Sequence, residues 1–175
     1  MSRAAGAERF AHLVDPRTVE TVDVLGPTIQ FLTSPDEGKD APCVMRGTIP
    51  PDGVVPLHSH ADPETFLAIS GEFEGLVSAA EGFDWVPIVP GDVFHVPGDV
   101  GHAFRNRSRE PAVMILVATA RIGRFFQETG TPLAAGRMAA GPPSGEAIER
   151  FLEIAERYGY WNASPAENAA VGVAI

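Results

Sequence analysis

Between Thr18 and Ala120 the chain alternates short apolar runs with clusters of turn formers. The runs are Thr18–Leu25, Thr28–Leu32, Cys43–Ile49, Val54–His60, Thr65–Ser70, Glu72–Ser78, Trp85–Val89, Val93–Val96, His102–Asn106 and Ala112–Thr119. Between them stand Gly26-Pro27, Ser34-Pro35-Asp36, Pro50-Pro51-Asp52-Gly53, Gly71, Pro90-Gly91-Asp92, Pro97-Gly98-Asp99 and Arg109-Glu110-Pro111. Short runs bounded in this way predict the strands of an antiparallel sandwich or barrel. Glu72-Phe-Glu-Gly-Leu-Val beside Phe66-Leu-Ala-Ile-Ser, with the single Gly71 at the junction, predicts a tight hairpin. No run alternates with a helical pattern of about 10–15 residues, which disfavours a parallel βαβ sheet. No fixed period repeats, so the pattern describes one barrel and not two tandem copies.

After Ala120 the periodicity changes. Ile122-Gly-Arg-Phe-Phe-Gln-Glu-Thr predicts a short helix stopped by Gly130 and Pro132. The Pro- and Gly-rich stretch from Pro132 to Gly145 reads as a mobile segment or lid. Ser144 is placed to cap a helix from Glu146 to Tyr158, closed by Gly159. Its apolar stripe is Ile148, Phe151, Leu152 and Ala155, expected to pack on the barrel or on a partner subunit. Glu146 with Arg150 and Glu153 with Arg157 form favourable i,i+4 pairs on the other face. Residues 160–175 are apolar without a pattern, and their role is not legible. The organisation is thus a lead-in over 1–17, a β-barrel over 18–120, and a helical extension and tail over 121–175.

With 175 residues the chain has room for one domain with a sizeable core. A net charge of −10 repels phosphate backbones and anionic membranes, which argues against nucleic-acid and membrane partners. No apolar run approaches the ~18 residues of a membrane span, and the N-terminus carries no apolar signal core. Cytoplasmic localisation is the expectation. The single cysteine, Cys43, cannot form an internal disulfide, and its strand-like run suits a small buried hydrophobe.

The candidate chemistry lies in two segments, Pro56-Leu-His-Ser-His-Ala-Asp-Pro-Glu-Thr-Phe and Pro97-Gly-Asp-Val-Gly-His-Ala-Phe-Arg-Asn. In a strand, side chains two apart share a face, so His58 and His60 point the same way. Ala61-Asp62-Pro63 forms a turn that returns Glu64 to that side, and His102 supplies a further candidate ligand. Imidazole nitrogens and a carboxylate suit one divalent transition metal ion, and no neighbouring thiolate selects zinc over iron, manganese, nickel or cobalt. Histidines beside Pro, Ser and Asp also occur as solvated loop residues. Here, however, three of the chain's five histidines fall at ligand-like spacing.

These segments resemble the paired motifs of the cupin superfamily. Gly53, His58, His60, Glu64 and Gly71 occupy the first motif; Gly91, Pro97, His102 and Asn106 match the second. Four residues instead of five separate Gly53 from His58, and Asp99 stands where the second motif has a glycine, with Gly98 one position early. The resemblance implies an all-β fold, the double-stranded β-helix (jelly-roll) barrel, here with a short C-terminal helical appendage. It also implies that His58, His60, Glu64 and His102 bind metal. The segment Arg-Ile-Gly-Arg-Phe-Phe-Gln-Glu-Thr-Gly-Thr-Pro, the Pro-rich stretch and the helix ending Arg-Tyr-Gly are similar to the tail of the quercetin 2,3-dioxygenase type. That similarity implies a catalytic role for Glu64 as general base, with plain ligation as the alternative.

Period two from the ligands turns Pro56, Phe66, Ala68 and Phe104 inward, either as a substrate pocket or as ordinary core. His95 is a further pocket candidate. Asn106 reads as a turn residue, and Arg105 and Arg107 point away from the cavity. Three functions fit. One is a metal-dependent dioxygenase taking O₂ and a flavonol-like or other enolisable aromatic substrate. Another is a metal cupin isomerase, decarboxylase or ring-cleaving enzyme for a small organic acid. The third is a non-catalytic small-molecule binder. A homodimer is expected, because small barrels must cover or pair their sheet edges.

Overall fold

The computed structural model describes residues 10–38, 41–79, 82–134 and 141–174. Residues 1–9 of the lead-in and 135–140 of the expected lid lie outside the described residues. The strands are β1 (Thr21–Asp23), β2 (Thr28–Phe31), β3 (Cys43–Ile49), β4 (Val54–Ser59), β5 (Glu64–Ser70), β6 (Phe73–Ala79), β7 (Gly82–Ile88), β8 (Val93–Val96), β9 (His102–Arg105) and β10 (Ala112–Ala118). There follow α1 (Ala120–Thr129), β11 (Thr131–Leu133), α2 (Gly145–Arg157), β12 (Trp161–Asn162) and α3 (Pro165–Ala170). Among the described residues no helix is long and apolar enough to cross a membrane.

The strands form two antiparallel sheets, one of seven strands in the order β11-β1-β2-β3-β10-β5-β8 and one of five in the order β12-β4-β9-β6-β7. Alternation decides what each buries: β3 turns Cys43, Met45 and Ile49 inward and leaves Val44, Arg46 and Thr48 half-exposed. Met45, Phe66, Met114 and Leu116 of the larger sheet meet Phe73, Ile88 and Phe104 of the smaller in one shared core. Each such side chain withdrawn from water contributes roughly 1.5–3 kcal/mol, and this holds the sheets face to face. Cys43 is fully buried there, and burial pushes its thiol up to about 11, so it behaves as the expected small hydrophobe.

Gly71 does not make a hairpin. β5 lies in the larger sheet and β6 in the smaller, so Gly71 carries the chain from one sheet to the other. It does so at φ +72°, and a Cβ there would stand 2.3 Å from the Pro111 carbonyl oxygen. The glycine signal was sound, but its conformational freedom serves a crossover at a close backbone approach.

Among its described residues the appendage holds three helices, and its strands join both sheets. Thr119 caps α1 and Gly130 closes it; Ser144 caps α2, as expected. The buried face of α2 differs from the expected stripe. Ile154 and Ala155 are buried and pack with Phe125 and Tyr160, whereas Ile148 and Leu152 stay exposed. The reason is the neighbour: α2 sits against α1 and β12, and Phe151, Ile154, Ala155 and Tyr158 form the i, i+3, i+4, i+7 row on that side. Its arginines also turn away from their expected partners. Arg150 donates to the Glu128 carbonyl, and Arg157 pairs with the Glu128 carboxylate.

The tail packs over the outer face of the smaller sheet. A capping box between Ser164 and Glu167 starts α3. Fully buried Asn168 accepts from the Leu57 amide at 2.9 Å and donates to the Ala163 and Ser164 carbonyls. Val173 joins Leu57, Leu76 and Ala103 in a second core, and Trp85 donates to the Val171 carbonyl at 2.7 Å.

Candidate metal centre

Strand pairing brings the two histidine segments together. β4 and β9 run antiparallel with His58 directly opposite His102, their ring centroids 4.2 Å apart. His60 follows β4 at the turn, and Glu64 opens β5. The turns that flank these residues lie against each other. The Asp99 amide donates to the His60 carbonyl at 2.7 Å, and a Cβ on Gly98 would stand 2.2 Å from the Ala61 carbonyl oxygen. Asp99 takes φ +65°, the left-handed conformation that a glycine would adopt and that Asp tolerates. The departure at Asp99 and Gly98 is thus absorbed locally: Asp99 supplies the turn and Gly98 the clearance.

One ring nitrogen from each of His58, His60 and His102 lies within 4.8 Å of the others, a set that can hold a metal ion. His60, Glu64 and His102 are buried, and His58 is half-buried. Each Nδ1 faces a main-chain carbonyl two residues away: Pro56 for His58 at 2.8 Å, Asp62 for His60 at 2.8 Å, and Val100 for His102 at 2.9 Å. A carbonyl can only accept, so each Nδ1 carries a proton, and a ring in its neutral form presents a bare Nε2 lone pair to the centre.

Glu64 Oε2 sits 3.4 Å from His60 Nε2 and 3.3 Å from His102 Nε2. The buried Nε2 of His102 nevertheless has no hydrogen-bond partner. Lone pairs converging on a carboxylate without a proton between them call for a cation. The residues therefore fit a divalent metal by an orphaned buried nitrogen and by the chemistry of the donor set.

The electrostatics agree. Burial, then the field of His102, pushes His58 down to about 3, so it is neutral at ordinary pH. Burial works against the charge on Glu64, but the adjacent His102 and His60 rings outweigh it and hold the carboxyl at about 2.

The expected pocket residues separate into two groups. Phe66, Ala68 and Phe104 are buried, but in the packed core: Phe66 lies 4.7 Å and Phe94 5.5 Å from Phe104, ring to ring. Pro56 is exposed, because the β4–β9 register shifts between Val55 and His58. The irregularity resets the alternation, so Val55 packs on the core and Pro56 contributes only its carbonyl. His95 lies on the outer face of β8, exposed, bonded to Thr65 at 2.9 Å. Arg105 turns outward as expected, to Glu74 and over Trp85. Asn106 does more than close a turn. It is buried and ties Ile49, Ser108 and Glu110 together.

Sequence reasoning missed Asp62, read only as part of a turn, and Tyr160, in the unplaced tail. The Asp62 carboxylate accepts from Thr119 and Arg121, each at 2.7 Å, and from the Tyr160 hydroxyl at 3.3 Å. The Tyr160 ring lies 4.9 Å from that of His60. An aspartate between two ligand positions was the available signal for Asp62; Tyr160 offered none. Two clefts among the described residues lie elsewhere. One of 310 Å³ runs between the β1–β2 turn and the start of α2, and one of 360 Å³ lies beside Arg105 and Arg107.

The comparisons bear on the fold. Residues 45–118 match the cupin domain family model. The structure of a predicted oxalate decarboxylase from Thermotoga maritima superposes with a TM-score of 0.51 at 20% identity, over 62% of this chain and 98% of that one. A sugar phosphate isomerase of the cupin superfamily from Silicibacter pomeroyi gives 0.52 at 23% identity, over 62% and 75%. No curated protein matches the chain. The paired motifs and the two-sheet core coincide with the match over residues 45–118, and this part of the chain is a cupin domain.

Proposed function

We propose that this protein is a metal-dependent cupin dioxygenase, with His58, His60, Glu64 and His102 holding one divalent transition metal ion, and with O₂ and a small enolisable molecule as substrates. The observation that carries the proposal is the convergence of three imidazole nitrogens and a buried carboxylate around the orphaned His102 Nε2. A bound ion supplies Lewis acidity, lowering the pKa of a substrate hydroxyl and leaving an electron-rich anion.

The chain's own residues do the rest. The three Nδ1–H bonds orient the ligand rings. Phe104, 6.0 Å from His102, and the Tyr160 ring exclude water from two sides. Glu64 is ionised at neutral pH, so it is ready to ligate. A carboxylate held at about 2 is a weak base, which favours ligation over proton transfer as its main role. Glu64→Gln separates the two: retained metal with lost oxygen uptake assigns the base role, and loss of metal assigns ligation.

A redox-neutral metal enzyme acting on a small organic acid is the second reading. The packing of Phe66 and Phe104 into the core favours it, because it removes an aromatic wall that a flavonol would use. The deciding experiment is oxygen uptake by protein loaded separately with Fe(II), Mn(II), Co(II) or Ni(II), offered a flavonol and then smaller enolisable acids. Uptake matched to substrate loss, and absent in His60→Ala, supports the dioxygenase. No uptake from fully loaded protein turns the assignment to redox-neutral chemistry.

The proposal extends to a homodimer. The tail covers the smaller sheet, while the larger sheet leaves Leu67, Ile69, Val93 and Val117 exposed on its outer face. A second copy placed there would cover them. Sedimentation equilibrium at the monomer mass up to high concentration would end this part of the proposal.

A further inference from the structure

One carboxylate joins the ligand turn to the C-terminal arm. The Asp62 main-chain oxygen accepts His60 Nδ1–H, and its half-hidden side chain accepts from Thr119, Arg121 and the Tyr160 hydroxyl. Thr119 also caps α1, and Arg121 donates to the Tyr158 carbonyl and lies over the Tyr160 ring at 5.2 Å. The arm in turn reaches both neighbouring histidines. The Tyr160 ring packs on His60, and β12 pairs with β4 so that Asn162 stands opposite His58 and Trp161 opposite Ser59. The Ala163 amide completes the attachment at the Leu57 carbonyl, 2.9 Å away.

From this geometry we infer that Asp62 and Tyr160 are positioning residues of the metal centre, and that metal ligation and the seating of residues 158–163 form one coupled equilibrium. The inference rests on the metal reading above. A ligand imidazole is useful only while its ring plane is fixed, and the His60 ring is held on one edge by the Asp62 carbonyl and by the Tyr160 ring, tilted 42° against it. Lifting the arm removes the Tyr160 ring contact and loosens Asp62 together. Because coupling between two events is reciprocal, an arm that favours the metal-ready ring is itself held down by the metal.

The test uses the full chain with Zn(II) as the probe. Zn(II) affinity is measured by chelator competition, hydrogen exchange of the 158–163 amides is followed with and without Zn(II), and the visible spectrum of the Co(II) form is recorded. In the wild type, Zn(II) should slow exchange in 158–163. Asp62→Asn and Tyr160→Leu should weaken Zn(II) binding by about 10–100-fold, the usual effect of losing a ligand's outer partner, and should alter the Co(II) spectrum. Tyr160→Phe, which keeps the ring, should recover much of the loss. A merely structural role would lower the melting temperature of the metal-free protein and leave affinity and spectrum unchanged, which overturns the inference. Exchange unaltered by stoichiometrically bound Zn(II) in the wild type also overturns it, and this needs no variant to fold. These results differ from failure of the metal reading itself, in which the wild type binds no Zn(II) and His102→Ala changes nothing.

Discussion

Each of the three site imidazoles keeps its proton on the ring edge facing its own strand, and that arrangement sets how the metal-free protein responds to acid. The folded pKa of His58 lies at about 3, below its ordinary 6.5, so the unfolded chain binds the extra proton throughout that window. Stability from His58 is therefore full above 6.5 and lost as pH falls toward 3. Glu64, at about 2 against an ordinary 4.5, adds a loss in the same direction at lower pH. His60 runs the other way. Burial opposes its protonation, but Glu64 and then Asp62 outweigh it and raise its pKa, so its contribution is present below 6.5 and lost as pH rises through the folded value. Two depressed groups against one raised group predict that the urea midpoint of metal-free protein falls between pH 7 and pH 4. An unchanged midpoint would mean that burial does not hold down the pKa of His58.

At the scale of elements, the arm depends on one buried amide. Asn168→Ala leaves the Leu57 amide without its partner, and an unsatisfied buried group costs about 1–3 kcal/mol. The urea midpoint should fall accordingly, and Asn168→Asp, which keeps the acceptor, should recover part of it. Nothing at this scale was readable for residues 160–175, because the tail is organised by contacts with β4 and Trp85 and not by any period of its own. The strands were legible because alternation and turn formers mark them locally. So was the grouping of the candidate ligands, since spacing alone puts His58 and His60 on one face. What failed were inferences carried across an irregularity or a neighbour. The register shift in β4 turned Pro56 out, and the choice of α1 and β12 as partners rotated α2 by part of a turn. His95 followed the phase of β8, which places Phe94 and Val96 inward and the histidine out.

For the whole molecule, an ion held by the proposed ligands would tie together β4, β5 and β9, and so link both sheets. Binding that favours the folded state raises stability by about 2.7 kcal/mol when free ligand stands at 100 times its dissociation constant. Stripping the metal with a chelator should lower the melting temperature in the wild type and leave that of His102→Ala unmoved. Equal shifts in both would place the bound metal elsewhere.

The parked Nδ1 protons have a calorimetric consequence. At alkaline pH the nitrogens that face the centre hold nothing for an incoming ion to displace, and Glu64 is already a carboxylate. Titrating the ion in buffers of widely different ionisation enthalpy should then give nearly one apparent heat: the proposed site would take up a metal without exporting acid.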